Sequence, residues 1–232
     1  MYNKTKIAMF LGLLVLCVGI AIENYLLKKE LANSIEDYED IHVEIEEIKQ
    51  ILTFEDRSDV STETSYHSWE NSKELAKNFM FESDGQFPKE WGLFLSEKAK
   101  ERSVDPYILF ELIRVETGGT FSPDTVGPKT RYGRAYGLTQ FMENTGPWIA
   151  KMADLPYEKE LLYNPYYAIE LAVVYLEFLY ERYGDWDHAL TAYHRGMYGL
   201  EQFKNNRGHA KSWYSEEIQK KAKELEMVVV SN

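Results

Sequence analysis

Glu116 is the side chain in this 232-residue sequence best placed for acid–base chemistry. It closes the run Ile108-Leu109-Phe110-Glu111-Leu112-Ile113-Arg114-Val115-Glu116, which leads into Thr117-Gly118-Gly119. A carboxylate in the last turn of a helix faces the negative end of the helix dipole, which disfavours ionisation by roughly 0.3–1 kcal/mol. Apolar surroundings add a desolvation cost of the same sign. Both raise the pKa, as a proton-donating acid requires. The competing reading is an ordinary surface glutamate at a frayed helix end. Glu111 sits on a different face of the same helix, about 140° away. Asp124, in the loop that follows, could approach. Taken singly, Gln140 suits a capping role at a helix start. Tyr193 suits a core aromatic with a wet hydroxyl, and His194 a surface histidine. Tyr132 and Tyr136 stand in a loop, where an aromatic ring is available to a ligand.

These residues need elements to hold them. Asp105 can accept bonds from the free N–H groups of the next turn, and Pro106 has its φ already set for that turn. Ile108, Leu112 and Val115 share one face, which Leu109 and Ile113 widen. Gly118 and Gly119 stop the helix because glycine takes the left-handed closing conformation cheaply. A helix carrying Trp91, Phe94 and Leu95 starts at Pro88. Phe121–Tyr136 is irregular, punctuated by Pro123, Gly127, Pro128 and Gly133. Gly137-Leu138-Thr139-Gln140 is expected to open a short helix. Asn164-Pro165 opens a long one, ended by Gly184. Asp185 caps another through Ala189, Leu190, Ala192 and Tyr193, expected to end at Gly196 and Gly199. A last helix runs from about Ser215 to Glu226. Trp148, Trp186, Tyr166 and Tyr167 are expected in the core. No sustained strand alternation is present, so the fold class is mostly α.

The N-terminal part reads differently. Lys4 and Lys6 precede an apolar run from Ile7 to Ile22, about 24 Å as a helix against a hydrocarbon core of ~30 Å. Tyr25, Leu26 and Leu27 extend it, and Lys28 and Lys29 close it. Residues 1–29 are therefore expected to be a membrane anchor, spanning through residues 7–27. The domain that follows is then single-pass anchored on the outer side of the cell membrane. The alternative is a cleaved signal peptide at Gly19-Ile20-Ala21, leaving a secreted chain. Residues 30–53 are expected to be an amphipathic spacer helix. A heptad series over residues 27–52 (Leu31, Tyr38, Ile45 and Leu52) suits either a coiled-coil homodimer or a single solvated helix. Residues 54–80 carry few apolar side chains and are expected to be a flexible linker. Residues 81–232 form the compact domain.

Composition narrows the function classes. The net charge of −12 argues against nucleic acid as partner, since phosphate binding needs a basic surface. The single cysteine, Cys17, permits no disulfide within the chain. The five histidines are scattered, no cluster has metal-ligand spacing, and neither metal nor cofactor is expected. The 17 tyrosines are available both for a core and for sugar platforms.

Four signals stand in order: Glu116-Thr117 at a helix end, Gly137-Leu138-Thr139-Gln140, Asn164-Pro165, and Ala192-Tyr193-His194-Arg195-Gly196. In this order the chain resembles the soluble lytic transglycosylase family, of goose-lysozyme-like fold, over residues 86–214. That family's pattern is Glu-Ser, Gly-Leu-Met-Gln, Asp-Pro and Ala-Tyr-Asn-Ala-Gly. The resemblance implies that Glu116 is a single catalytic acid/base acting on the bond between N-acetylmuramic acid and N-acetylglucosamine in peptidoglycan. It implies that Thr117 bonds the carboxylate or the sugar, that Gln140 lines the cleft, and that Tyr193 points its hydroxyl at Glu116 or an N-acetyl group. Tyr136 and His194 complete the expected substrate-binding set. Thr139 stands for the family's Met, Arg134 for a Gly and His194 for an Asn. The implied product is a 1,6-anhydro-muramic acid end. Two alternatives remain: a muramidase of the same fold that adds water, and a non-catalytic wall-binding or envelope adaptor protein.

Overall fold

A computed structural model describes residues 62–230, together with Leu26, Lys28 and Lys29, which are helical. The rest of the expected anchor, the spacer 30–53 and the rest of the pairing segment 27–52 lie outside the described residues. Among the described residues no helix is long and apolar enough to cross a membrane. The chain divides into two units, Met1–Thr64 and Ser65–Asn232, and the second holds Glu116.

Its helices are α1 (Thr62–Glu82), α2 (Lys89–Glu101), α3 (Pro106–Glu116), α4 (Gly146–Met152), α5 (Pro165–Tyr183), α6 (Trp186–Arg207) and α7 (Trp213–Val230). A 3-10 turn covers Lys159–Tyr163, and β1 (Ala135–Tyr136) pairs antiparallel with β2 (Phe141–Met142). The centre of the core is α5, whose Ile169, Leu171, Ala172, Val173, Leu176 and Leu179 are fully buried. It packs against α2, α4 and α6, while α3 packs against α2 and α7. Asn164 starts α5 by accepting from the N–H groups of Tyr166 and Tyr167 at 3.0 and 3.2 Å. Gly184, at φ 79°, ends it.

The structure corrects four sequence expectations. The linker expected at residues 54–80 is helical from Thr62 onward, and Ser72, Ala76 and Phe79 are buried in the domain. Small residues make that face: a Cβ on Gly92 would come within 2.9 Å of Ala76 Cα, so α1 lies close on α2. Phe79 then stacks on Phe110 with ring centroids 4.4 Å apart. Tertiary packing of a narrow stripe thus overrides a polar composition.

The second correction concerns Gly137-Leu138-Thr139-Gln140, which opens no helix. It is the turn between β1 and β2, with Ala135 opposite Met142 and Tyr136 opposite Phe141. Gly137 has φ 74°, and a Cβ there would fall 1.8 Å from the Leu162 carbonyl oxygen. Only glycine fits that approach. Third, Gly196 kinks α6 (φ 73°, ψ 158°), but the helix resumes through Gly199 to Arg207. Finally, Trp148 and Tyr166 lie at the surface rather than in the core.

Candidate active site

α3 delivers Glu116 as its sequence dictates. The Asp105 carboxylate accepts from Tyr107 N–H at 2.8 Å and Ile108 N–H at 3.3 Å, fixing the start. Ile108, Leu109, Phe110, Leu112 and Ile113 are buried and fix the axis. At the far end Gly119 N–H reaches the Arg114 carbonyl at 2.7 Å, with Gly118 and Gly119 both at positive φ. The backbone therefore turns away immediately after Glu116, whose side chain is left half-buried at the helix end.

The carboxylate's partner is Tyr214, the second residue of α7. Its hydroxyl donates to Glu116 Oε1 at 2.5 Å, and its ring is buried. Burial pushes the Glu116 pKa from 4.5 up to about 7, while the bond from Tyr214 pulls the other way. At neutral pH the group is thus poised between donating and accepting a proton. Among the described residues no other carboxylate contributes to that shift. Glu111 is buried elsewhere, paired with Arg114 at 3.3 Å and surrounded by Lys221, Glu82 and Glu217. Asp124 is exposed in its loop. Among the described residues no group of His, Cys, Asp or Glu could hold a metal ion.

Tyr193 is beside this site but bonded differently from expectation. Its hydroxyl donates to the Thr139 carbonyl at 2.9 Å, holding the β1–β2 turn, and its ring packs on Phe141 and Tyr175. The charge of Glu116 is near enough to raise the Tyr193 pKa further. Gln140, at φ 51°, uses its amide to donate to the Thr125 and Gly137 carbonyls at 3.1 and 2.7 Å. It clamps the loop to the turn. Thr117 does not reach the carboxylate. Its hydroxyl donates to the Ile113 carbonyl at 2.8 Å and accepts from Phe121 N–H at 3.1 Å.

Tyr136 is largely enclosed. Its ring is 7% exposed, the Lys159 ammonium sits 4.5 Å over one face, and its hydroxyl donates to Glu143 at 2.9 Å. Tyr132 is 60% exposed. His194 is exposed and lies flat on the Tyr214 ring, 4.7 Å between centroids at 6°. Trp213, 55% exposed, stands edge-on to both. An aromatic wall from α6 and α7 therefore packs around Tyr214, the carboxylate's donor.

Sequence reasoning missed Tyr214. The available signal was a hydroxyl at the head of an otherwise apolar face, Tyr214-Ile218-Ala222-Leu225, since a buried tyrosine O–H needs a partner.

Comparison with known proteins follows this geometry. A family model described as Transglycosylase SLT domain matches residues 94–215. Among solved structures, an inactive glutamate-to-glutamine mutant of lytic transglycosylase Slt from Pseudomonas aeruginosa is similar at TM-score 0.50 and 21% identity. It covers 64% of this chain and 25% of its own. The 70 kDa soluble lytic transglycosylase of Escherichia coli is similar at TM-score 0.41 and 18% identity, over 65% of this chain and 28% of its own. The chain thus spans about a quarter of either protein. Among curated proteins none matches it.

Proposed function

The chain belongs to the transglycosylase SLT domain family, and from that membership we propose that it is a peptidoglycan lytic transglycosylase with Glu116 as its single acid/base. The observation that carries this is a lone carboxyl at pKa about 7, held by a buried tyrosine with no second carboxylate acting on it. Two-carboxylate glycosidases place their pair roughly 5–9.5 Å apart, one as acid and the other as nucleophile or base. With one carboxyl, the protein offers no carboxylate nucleophile, and the substrate's own C6 hydroxyl can serve as one.

The reaction then balances within the sugar. Protonated Glu116 donates to the oxygen linking N-acetylmuramic acid to N-acetylglucosamine, and the C1–O bond breaks. The neighbouring N-acetyl oxygen stabilises the positive charge at C1. The Glu116 carboxylate takes the proton of the C6 hydroxyl, O6 bonds to C1, and a 1,6-anhydro end forms without water. The acid is regenerated in the same step. Tyr214 holds the carboxyl in one rotamer and, as a donor, stabilises its charged form between the two transfers. The exposed Trp213–His194 wall offers an apolar face to a sugar ring.

A membrane position on the outer side of the cell fits this substrate. The apolar run Ile7–Ile22 between paired lysines supports it, with residues 7–27 as the span. The test of the reaction is the mass of the products from purified peptidoglycan. Anhydro ends, lighter than reducing ends by one water, support the proposal. Reducing ends identify a muramidase instead.

A further inference from the structure

The segment that precedes β1 is an ordered cationic finger. Thr130 and Gly133 exchange backbone bonds at 2.8 and 3.2 Å, and Gly127 N–H donates to the Ala135 carbonyl at 2.9 Å. The Thr130 hydroxyl donates to the Gly133 carbonyl and accepts from Tyr132 N–H. Arg134 Nη1 donates to the Gly127 carbonyl at 2.9 Å, tying the base of the finger. Lys129, Arg131 and Arg134 fall within six residues of a chain whose net charge is −12, so the positive charge here runs against the composition. Among the described residues Lys129 and Arg131 meet no carboxylate. Arg131 lies 4.5 Å over the Tyr132 ring.

Lys129, Tyr132, Gly133 and Arg134 form one side of an open depression lined also by Tyr136, Glu143 and Asn144, with Arg131 at its edge on the Tyr132 ring. Glu143 does not cancel the finger's charge. It is engaged by Lys159 at 3.0 Å and by the Tyr136 hydroxyl at 2.9 Å, and both hold its pKa down. The depression therefore presents uncompensated positive charge beside an exposed tyrosine ring. It is joined to the site described above through the chain. The strand that leaves it, β1, enters the turn whose Thr139 carbonyl is held by Tyr193, and Tyr193 lies within the field of Glu116.

We infer that this finger is a subsite for an anionic substituent of the glycan strand, engaged by Lys129 and Arg131 while Glu116 acts on the backbone sugar. The inference rests on the reading that the strand is peptidoglycan. The shared chemistry is an oxyanion, either the carboxylate of a peptide stem or the phosphate of a wall-linked polymer. Arg134, already committed to a carbonyl, positions the finger.

The test is wall binding rather than turnover. The full chain carrying Glu116→Gln is compared with the same chain carrying Lys129→Ala and Arg131→Ala in addition. Each is titrated against intact walls, walls freed of peptide stems by an amidase, walls freed of phosphate polymers by hydrofluoric acid, and walls freed of both. On intact walls at low salt the added substitutions should weaken binding about fourfold, each exposed ion pair contributing roughly a factor of two. The difference should close at about 0.5 M salt, where the Debye length falls to roughly 4 Å. One of the two single treatments should abolish it and so name the anion. Exchanging the charges conservatively, Lys129→Arg with Arg131→Lys, should retain binding. Equal binding by parent and alanine variant on intact walls overturns the subsite, as does a loss that persists on walls freed of both anions. If the wild-type chain cleaves no glycan yet the binding loss is seen, the enzymatic reading fails and the subsite stands. Cleavage with unchanged binding has the opposite meaning.

Discussion

Glu116→Gln should stabilise the fold, and only at neutral to alkaline pH. In the unfolded chain the carboxyl titrates near its ordinary value of 4.5, whereas burial raises it to about 7 in the fold. The sign follows from proton linkage. A folded pKa above the unfolded one means that the native state holds the proton more tightly. The associated stability is complete below about pH 4.5 and is lost as pH rises through about 7. At roughly 1.4 kcal/mol per pH unit between those values, the loss approaches about 3 kcal/mol. The carboxyl's solvent face makes about 2–3 kcal/mol the expected size. Glutamine is neutral at every pH, and its Oε1 can accept the same bond from Tyr214. Urea denaturation of both proteins at about pH 4 and pH 8 reads the difference directly. The two should be nearly equally stable at the lower pH, with the variant ahead by about 2–3 kcal/mol at the higher. Comparing the pair cancels the titration of every other group. A variant no more stable than wild type at pH 8 would refute the claim that burial suppresses the ionised form.

Three further outcomes follow from the same geometry. Tyr214→Phe removes the donor that favours the ionised carboxylate, so the alkaline limb of the pH–rate profile should move to higher pH while activity falls roughly tenfold. A limb that moves down contradicts the assigned bond. Gly137→Ala places a methyl group 1.8 Å from the Leu162 carbonyl at a left-handed φ, and should cost roughly 3 kcal/mol or more in chemical denaturation. Asp105→Ala removes the cap of the helix that carries Glu116, and should lower stability by about 1 kcal/mol, seen as a fall of about 2–4 °C in Tm.

The helix that carries Glu116 was legible because all its determinants are local. Its cap, its proline, its apolar face and its closing glycines lie within one short stretch of chain. The same holds for Asn164 and Gly184 at the ends of α5. What could not be read depended on distant partners. Tyr214 lies 98 residues from Glu116 in sequence, and nothing local marks it as the carboxyl's donor. The turn at Gly137 is decided by the carbonyl of Leu162, and without that contact Gly-Leu-Thr-Gln reads as a helix start. α1 was hidden because its buried stripe uses Ser72 and Ala76, small side chains that carry little hydropathic signal. Thr117 and Gln140 take local backbone partners that the sequence does not announce. Both spend their polar groups on backbone carbonyls, a competition that residue type alone does not reveal.

The central claim is that one carboxyl does all the proton transfer, and it is met most directly by digesting purified peptidoglycan with wild type and Glu116→Gln side by side. Release of soluble glycan fragments should fall by roughly a hundredfold to ten-thousandfold in the variant, the range for loss of a general acid–base group, while the variant remains folded. Fragment release by the variant at the wild-type rate would contradict the account.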